Sequence, residues 1–125
     1  FKICNEYVEK LNIRTTSIFQ KTLNLSGGNQ QKLLLARWIM KKLKVLIIDE
    51  PTRGVDVGAK SEIYDFIRKI AKNGTAVIVI SSELPEVLTL CDRIMVMCQG
   101  RKTGELHHEE ATEEKLMHLL AGLNG

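Results

Sequence analysis

The sequence contains no uninterrupted apolar segment of the roughly 18 residues that a membrane-spanning helix requires. Its first residues also lack the basic stretch and apolar core of a secretion signal. We therefore expect that any role at a membrane depends on a partner protein.

Cysteine is scarce, and the three cysteines, Cys4, Cys91 and Cys98, form no C-x-x-C pair. An odd number without paired spacing argues against a disulfide framework and predicts three free thiols, as in cytosolic proteins. For Cys91 a structural role is favoured over a redox role, because its cationic neighbour in the sequence is Arg93 alone.

An excess of one charge is also lacking: 18 basic and 15 acidic residues give a net charge of +3 and are spread along the chain. This balance gives no reason to propose nucleic acid or anionic lipid as a partner. With 125 residues, 44% of them hydrophobic, we predict one domain, residues 1–125, with a core of its own.

Two segments near the middle of the chain have the patterns of a helix and a buried strand. After Ser26, apolar residues recur at helical spacing, namely Leu33, Ala36, Ile39, Met40 and Leu43. The unbroken apolar run 45–48 then predicts a strand buried on both faces of a parallel sheet. This strand ends in Asp49-Glu50-Pro51.

The rest of the pattern alternates helices and strands, which indicates an α/β fold. The predicted elements are a helix with Ile63, Phe66, Ile67 and Ile70 inward that ends at Asn73-Gly74, a strand Ala76–Ile80, a short helix from Pro85, a strand Ile94–Met97, a turn at Gln99-Gly100, and a helix capped by Thr112 with Leu116, Leu119 and Leu120 inward. Residues 1–23 show only loose periodicity, and their start looks like the edge of a longer protein.

The segment Leu25–Lys32 places a serine and two glycines at the start of a helix. Unpaired backbone N–H groups at such an end attract phosphate, and glycines let a ligand approach the backbone closely. Ser26 could cap its own helix or turn its hydroxyl to a phosphate oxygen. Taken alone, a Ser-capped helix after a glycine turn is the simpler interpretation.

Asp49 and Glu50 follow the apolar strand, at the end where open parallel sheets bind ligands. In a phosphoryl-transfer site one such acid holds Mg²⁺ and its neighbour orients the attacking water, roles that suit Asp49 and Glu50 respectively. A solvated Asp-Glu turn before Pro51 is the alternative.

In combination these motifs resemble those of ATP-binding-cassette (ABC) ATPases, since the Leu-Ser-Gly-Gly signature, its helix and Val-Leu-Ile-Ile-Asp-Glu-Pro occur in that family's order and spacing. The stretch 51–60 contains Gly54-Val55-Asp56 at the family's D-loop position and is similar to that of ribose-type sugar importers. Residues 80–86 resemble the switch region of the second cassette in those importers. The chain is thus similar to the C-terminal portion of such a cassette.

The resemblance implies a P-loop NTPase-like three-layer α/β fold with a mostly parallel sheet, truncated at the N-terminus. It implies ATP hydrolysis coupled to sugar import, with ATP and Mg²⁺ as cofactors, Glu50 as the catalytic residue and Asp49 as the metal ligand. The residues implied to bind nucleotide are Leu25, Ser26, Gly27, Gly28, Asn29, Gln30, Asp56 and Ser82. The implied partners are a second ABC cassette, in the same protein or a dimer mate, membrane permease subunits and, indirectly, a sugar-binding protein. These partners would hold the chain at the cytoplasmic face of the membrane.

The sequence departs from the family pattern in two ways. No G-x-x-x-x-G-K-[ST] phosphate-binding loop occurs, so we expect the chain to be a fragment that is inactive alone. Most family members also have a histidine at the switch position where Ser82 stands. We therefore hypothesise two unequal sites, with Ser26, Gly27 and Gly28 serving the competent one and Asp49 and Glu50 the weaker one. A bulky residue at Gly28 should then slow ATP turnover far more than Glu50→Gln.

Two other function classes stay open at this point. The missing phosphate loop favours a non-catalytic module that pairs with another cassette, and a soluble ABC ATPase without a transport role is the other alternative.

Of the lesser candidate residues, the group His107, His108, Glu109 and Glu110 is interpreted as a solvated turn rather than a metal site. Other residues are assigned ordinary structural roles: Trp38, Met95, Met97 and Met117 as core, and Lys32, Lys41, Lys42 and Lys44 as a solvated helix end.

Overall fold

The computed structural model describes residues 1–122, which fold as two compact units, Phe1–Ile80 and Ser81–Gly125, the second described as far as Gly122. The first unit contains α1 (Lys2–Lys10), a 3₁₀ turn (Thr22–Asn24), α2 (Gly27–Ile39), β1 (Val45–Asp49), α3 (Val57–Lys72) and β2 (Ala76–Ile80). The second contains α4 (Leu84–Leu90), β3 (Arg93–Cys98), β4 (Arg101–His107), a 3₁₀ turn (His108–Glu110) and α5 (Glu113–Leu120). The predicted α/β class is confirmed, and whether both units form one domain stays a prediction.

The first unit is built around a β1-α3-β2 crossover. The two strands pair in parallel, with Leu46 opposite Val77 and Ile48 opposite Val79. Helix α3 begins where the Asp56 carboxylate accepts a hydrogen bond from the Ala59 amide (3.0 Å) and ends before Gly74, whose φ of +92° suits a glycine. Its inward stripe was predicted correctly, since Ile63, Ile67 and Ile70 are buried.

Strand β1 is buried on one face only. Leu46 and Ile48 are buried, whereas Val45 and Ile47 are exposed, as is Ile78 on the paired strand. The prediction of a strand is confirmed, but burial on both faces is wrong for this chain. An unbroken apolar run predicts a strand with neither face in contact with water. In residues 1–122, one face of β1 is covered and the other is exposed.

Helix α2 packs partly with the predicted face, since Ala36 is buried and Leu33 packs against the same core, and partly with residues that were not predicted to be buried. The buried residues Gly28, Lys32, Leu35 and Ala36 follow the spacing i, i+4, i+7, i+8. Ala36 joins Leu11 and Ile13 in a small core, to which the unpredicted helix α1 contributes Tyr7 and Val8. Met40 and Trp38 are 50% and 42% exposed, so their assignment to the core was wrong. The Lys41 ammonium instead lies 5.1 Å from the centre of the Trp38 ring.

The second unit is a hairpin covered by two helices. Strands β3 and β4 are antiparallel and join through Gln99 and Gly100, both with positive φ (+48° and +76°), as a two-residue type I′ turn requires. Strand β4 was not predicted. The core residues are Ile94, Val96 and Leu116, the last from α5, whose first turn is capped by Thr112 as predicted.

Three methionines and one leucine in this unit were wrongly assigned to the core. Met95, Met97 and Met117 are all more than half exposed, and Leu120 is 39% exposed. Met95 and Met97 alternate with the buried Ile94 and Val96, so they lie on the outer face of the hairpin. No helix among the described residues is both long and apolar enough to cross a membrane.

Candidate functional site

Ser26 is the residue before the first turn of α2, and its side chain does not cap the helix. Its backbone carbonyl accepts the first helical hydrogen bond, from Gln30 (2.9 Å), while its Oγ accepts a hydrogen bond from the Asn29 side-chain amide (2.8 Å). The hydroxyl proton therefore stays available for donation to another acceptor. The helix geometry also leaves the amides of Gly27 and Gly28 without intrahelical acceptors.

Asn29 and Gln30 hold the loop before α2 in place. The Asn29 side chain is buried and its carbonyl oxygen accepts a hydrogen bond from the Arg14 amide (3.0 Å). The Gln30 side-chain amide donates to the Leu25 carbonyl (2.9 Å). Both side chains thus bond within the protein, which makes their observed role one of shaping the loop.

The two glycines of the signature contact the segment that leads into α3. A Cβ atom at Gly27 would lie 3.2 Å from the Gly54 carbonyl oxygen, and one at Gly28 would lie 2.9 Å from the Ala59 Cβ. Neither glycine has a positive φ. The absence of a side chain at Gly28 is therefore required by helix packing, in addition to the predicted access for a ligand.

A cleft of about 250 Å³ lies where the starts of α2 and α3 meet. It brings together four of the predicted nucleotide-binding residues, Ser26, Gly28, Asn29 and Asp56. The other five residues of the lining were not predicted from the sequence to belong to a site: Arg14, Lys32, Gly58, Ala59 and Glu62. Helical spacing could have found one of them, because Lys32 lies one turn after the predicted Gly28.

Lys32 is buried in the wall of this cleft, so its assignment to a solvated helix end was wrong, whereas Lys41, Lys42 and Lys44 are exposed as expected. Its ammonium donates to the Asn12 carbonyl (3.0 Å) and forms an ion pair with the Glu62 carboxylate. A buried ammonium requires such partners, because its desolvation is otherwise too costly.

Asp49 and Glu50 lie at the C-terminal end of β1, as predicted, and neither lines the cleft. Asp49 is exposed. Glu50 has a φ of +47° and its amide donates to the Ile80 carbonyl (2.8 Å), so the chain turns sharply between the two carboxylates. A left-handed residue with a side chain costs roughly 1–2 kcal/mol, which surrounding contacts must offset.

The carboxylate of Asp49 suits Mg²⁺ as a single protein ligand. Within residues 1–122, no three His, Cys, Asp or Glu residues form a group that could hold a metal ion by themselves. Mg²⁺ commonly keeps several waters and binds through one or two carboxylates together with substrate phosphates. The donor set therefore fits an ion that arrives with a phosphate ligand.

Ser82 belongs to the second unit and is exposed. The neighbouring Ser81 Oγ accepts a hydrogen bond from the Glu83 amide (3.0 Å), which fixes the backbone just before α4. The structure therefore presents Ser82 to solvent at the start of this unit.

Residues 2–53 match the family described as ABC transporter. Over 118 residues, 94% of this chain, the sequence is 56% identical to the ribose import ATP-binding protein of Clostridium perfringens (strain SM101 / Type A), of which it covers 24%. The chain thus spans about a quarter of the length of the curated relatives it matches.

Solved structures give the fold. The ADP conformation of an ATP-binding cassette of an ABC transporter superposes with a TM-score of 0.75 at 25% identity, over 96% of this chain and 45% of that chain. A dimeric cassette in a post-hydrolysis state, bound to ADP and Pi, superposes with a TM-score of 0.72 at 21% identity, over 86% and 46%. The fold is that of ABC cassettes, which is the P-loop NTPase type.

Proposed function

Because this chain belongs to the ABC transporter ATPase family, we propose that it forms part of the ATP-binding and ATP-hydrolysing subunit of a sugar importer. The observation that carries the proposal is the cleft in which Ser26, Gly28 and Asn29 of the signature meet Asp56 of the D-loop position. The 56% identity to a ribose import ATP-binding protein supports the choice of sugar as cargo.

The start of α2 supplies donors for a nucleotide phosphate. The amides of Gly27 and Gly28 lack intrahelical acceptors, and the positive end of the helix dipole lies at the same position. Ser26 adds its hydroxyl proton, because its oxygen already accepts from Asn29. These groups lie in the cleft whose lining also includes the positively charged Arg14.

Asp49 and Glu50 serve the site at the strand end. Asp49 would hold Mg²⁺ together with nucleotide phosphates, and the ion would supply positive charge that offsets the charge of the phosphates. Glu50 orients and polarises the attacking water. Ser82, at the switch position, has no imidazole to contact the γ-phosphate, and we infer that hydrolysis at this site is correspondingly weak.

The assembly that we propose follows the family's arrangement. In the full-length protein the chain lies within a three-layer α/β cassette with a mostly parallel sheet, and its signature faces the phosphate loop of a second cassette. Permease subunits anchor the pair at the cytoplasmic face of the membrane, and a sugar-binding protein delivers the cargo. The exposed side chains of Ile47 and Ile78 are consistent with further layers around the β1-β2 pair.

The test is to reconstitute the full-length protein with its permease in vesicles, to add the sugar-binding protein, and to measure ATP hydrolysis and ribose uptake together. We expect hydrolysis to drive uptake, and Ser26→Ala to lower both in proportion. Glu6→Gln, on the exposed surface of α1, is the control. Tight pairing of cassettes with no ATP turnover would instead support the non-catalytic module, and turnover that no permease affects would support the soluble ATPase.

A further inference from the structure

We propose that Lys32 is a positioning residue that fixes the phosphate-binding end of α2 against α3 through its ion pair with Glu62. This inference rests on the proposed function of Ser26 to Asn29 as a nucleotide-phosphate site. The Lys32 side chain does not belong to the set of groups assigned to the nucleotide, and it acts through the helices that carry them.

The first argument is the burial of Lys32. Its side chain is 6% exposed, whereas that of Glu62 is 39% exposed. The Lys32 ammonium is therefore removed from water, while the Glu62 side chain stays in contact with water. A lysine in this position is retained only where its donors are satisfied. The described contacts provide two acceptors, the Asn12 carbonyl and the Glu62 carboxylate.

The second argument is the alignment of the two helices. Gly28 and Lys32 are four residues apart on α2, and Ala59 and Glu62 are three residues apart on α3, so each pair lies along one helix face. Gly28 is in contact with Ala59, and Lys32 is paired with Glu62. The helices are therefore joined at two successive points, one steric and one ionic, and a shift or rotation of α2 would break both.

The third argument is a second attachment on the other side of α2. The Lys32 ammonium binds the Asn12 carbonyl, and the Asn29 side chain accepts from the Arg14 amide. Between these bonds Ile13 is buried in the core of the unit. The short segment 12–14 is thus attached to α2 at two residues one turn apart, and the Lys32 ammonium contacts both this segment and α3.

The consequence concerns the amides of Gly27 and Gly28 and the Ser26 hydroxyl, which must keep a fixed mutual geometry to donate to one phosphate group. Misplacement of binding groups by about 1 Å is sufficient to lower a catalysed rate by as much as 100-fold. Loss of the ion pair should therefore lower the rate of the chemical step, while primary nucleotide binding, which uses a phosphate loop elsewhere, should change little.

The experiment uses the full-length protein with two variants, Glu62→Gln and the double variant Lys32→Met/Glu62→Leu. The double variant removes both charges together, because a buried pair replaced by apolar residues usually leaves the fold stable, whereas one unpaired charge does not. Lys10→Met is the matched control, since it breaks an exposed lysine-glutamate pair on α1. Steady-state kinetics with Mg-ATP give kcat and KM, and hydrogen exchange reports on the segments 12–20 and 26–36.

We expect the double variant to lower kcat about tenfold with KM changed less than about twofold. Glu62→Gln should cause a smaller loss of the same kind, because the amide oxygen of the substituted side chain can still accept a hydrogen bond from Lys32. Exchange should accelerate in both segments, including at the Arg14 amide, and not in Lys10→Met.

Unchanged kcat and unchanged hydrogen exchange in the double variant would overturn the positioning role. A raised KM with normal kcat in the double variant would also overturn it, because Lys32 would then contact nucleotide directly. If the parent protein hydrolyses no ATP, the proposed function fails, and the exchange data still decide whether Lys32 positions α2.

Discussion

Gly28 and Ala59 lie in direct contact, so that a Cβ atom added at residue 28 would be 2.9 Å from the Cβ of Ala59. Real Cβ atoms do not approach a carbon so closely, and the first turns of α2 and α3 can meet only because residue 28 has no side chain. The signature glycine and the helix that follows the D-loop are therefore one packing unit.

We predict that Gly28→Val destabilises the chain by about 1–3 kcal/mol, because the added side chain overpacks the contact with Ala59. Urea unfolding followed by far-UV circular dichroism measures the change. Gly58→Ala is the control, since its Cβ would meet only the Asp56 carboxylate oxygen at the ordinary distance of 3.4 Å. That variant should change stability by about 0.5 kcal/mol or less. Equal midpoints for Gly28→Val and the parent would contradict the packing role.

The packing of Gly28 changes how the two unequal sites are best compared. A bulky residue at Gly28 would disturb the fold as well as the site, so Ser26→Ala is the cleaner substitution. In the full-length protein we predict that Ser26→Ala lowers ATP turnover about tenfold and Glu50→Gln less than about threefold. The reason is that, in the proposed function, Glu50 serves the weaker of the two unequal sites. Similar losses in the two variants would argue against unequal sites.

The hairpin of the second unit should have an acid-sensitive ion pair. A hydrogen bond from Lys102, together with the charges of Lys102 and Arg93, lowers the pKa of Glu105 below its usual range. A lowered folded-state pKa contributes stability above the unfolded pKa of about 4.3, and this contribution is lost as the pH falls through the lower folded value. In an NMR titration we expect Lys102→Met to move the Glu105 midpoint upward. A midpoint that the substitution leaves unchanged would exclude Lys102 as the cause.

Cys4 and Cys91 should react at different rates with a thiol reagent. Burial raises the pKa of the Cys91 thiol, and the carboxylates of Asp92 and Glu86 raise it further. Because the thiolate is the reactive form, Cys91 should be alkylated more slowly than the exposed Cys4 at pH 8. Mass spectrometry of iodoacetamide-treated protein, sampled over time, gives the order. Labelling of Cys91 as fast as Cys4 would be inconsistent with its burial.

Much of the fold could be predicted from local patterns. The strand before Asp49, the helix that ends at Gly74 and the turn at Gly100 each have a signal within a few residues of sequence. Strand β4 has none, since its residues 101–107 include Leu106 as the sole large apolar side chain. The pairing of β4 is set by the two-residue turn and by β3. Both lie outside residues 101–107, so the pattern of β4 itself does not indicate a strand.

The candidate site could be predicted only in part for a similar reason. The resemblance to ABC ATPases led to Ser26, Gly28, Asn29 and Asp56, which the structure brings into one cleft. Lys32 and Glu62 are 30 residues apart, and no local pattern indicates that they form a pair. Lysine side chains are rarely buried, so the contact between Lys32 and Glu62 could be recognised only once the packing of α2 against α3 was known.

The two-residue connection at Gln99 and Gly100 has a consequence for the order of folding. Closing a two-residue turn brings β3 and β4 together with little loss of chain entropy, and hairpins of this kind form in about 1–10 μs. The parallel pair β1 and β2 can form only after the intervening α3 has crossed over, which makes its contacts less local. We therefore expect the hairpin to be protected from solvent exchange early in refolding, and the Leu46 and Val77 pairing to be established later.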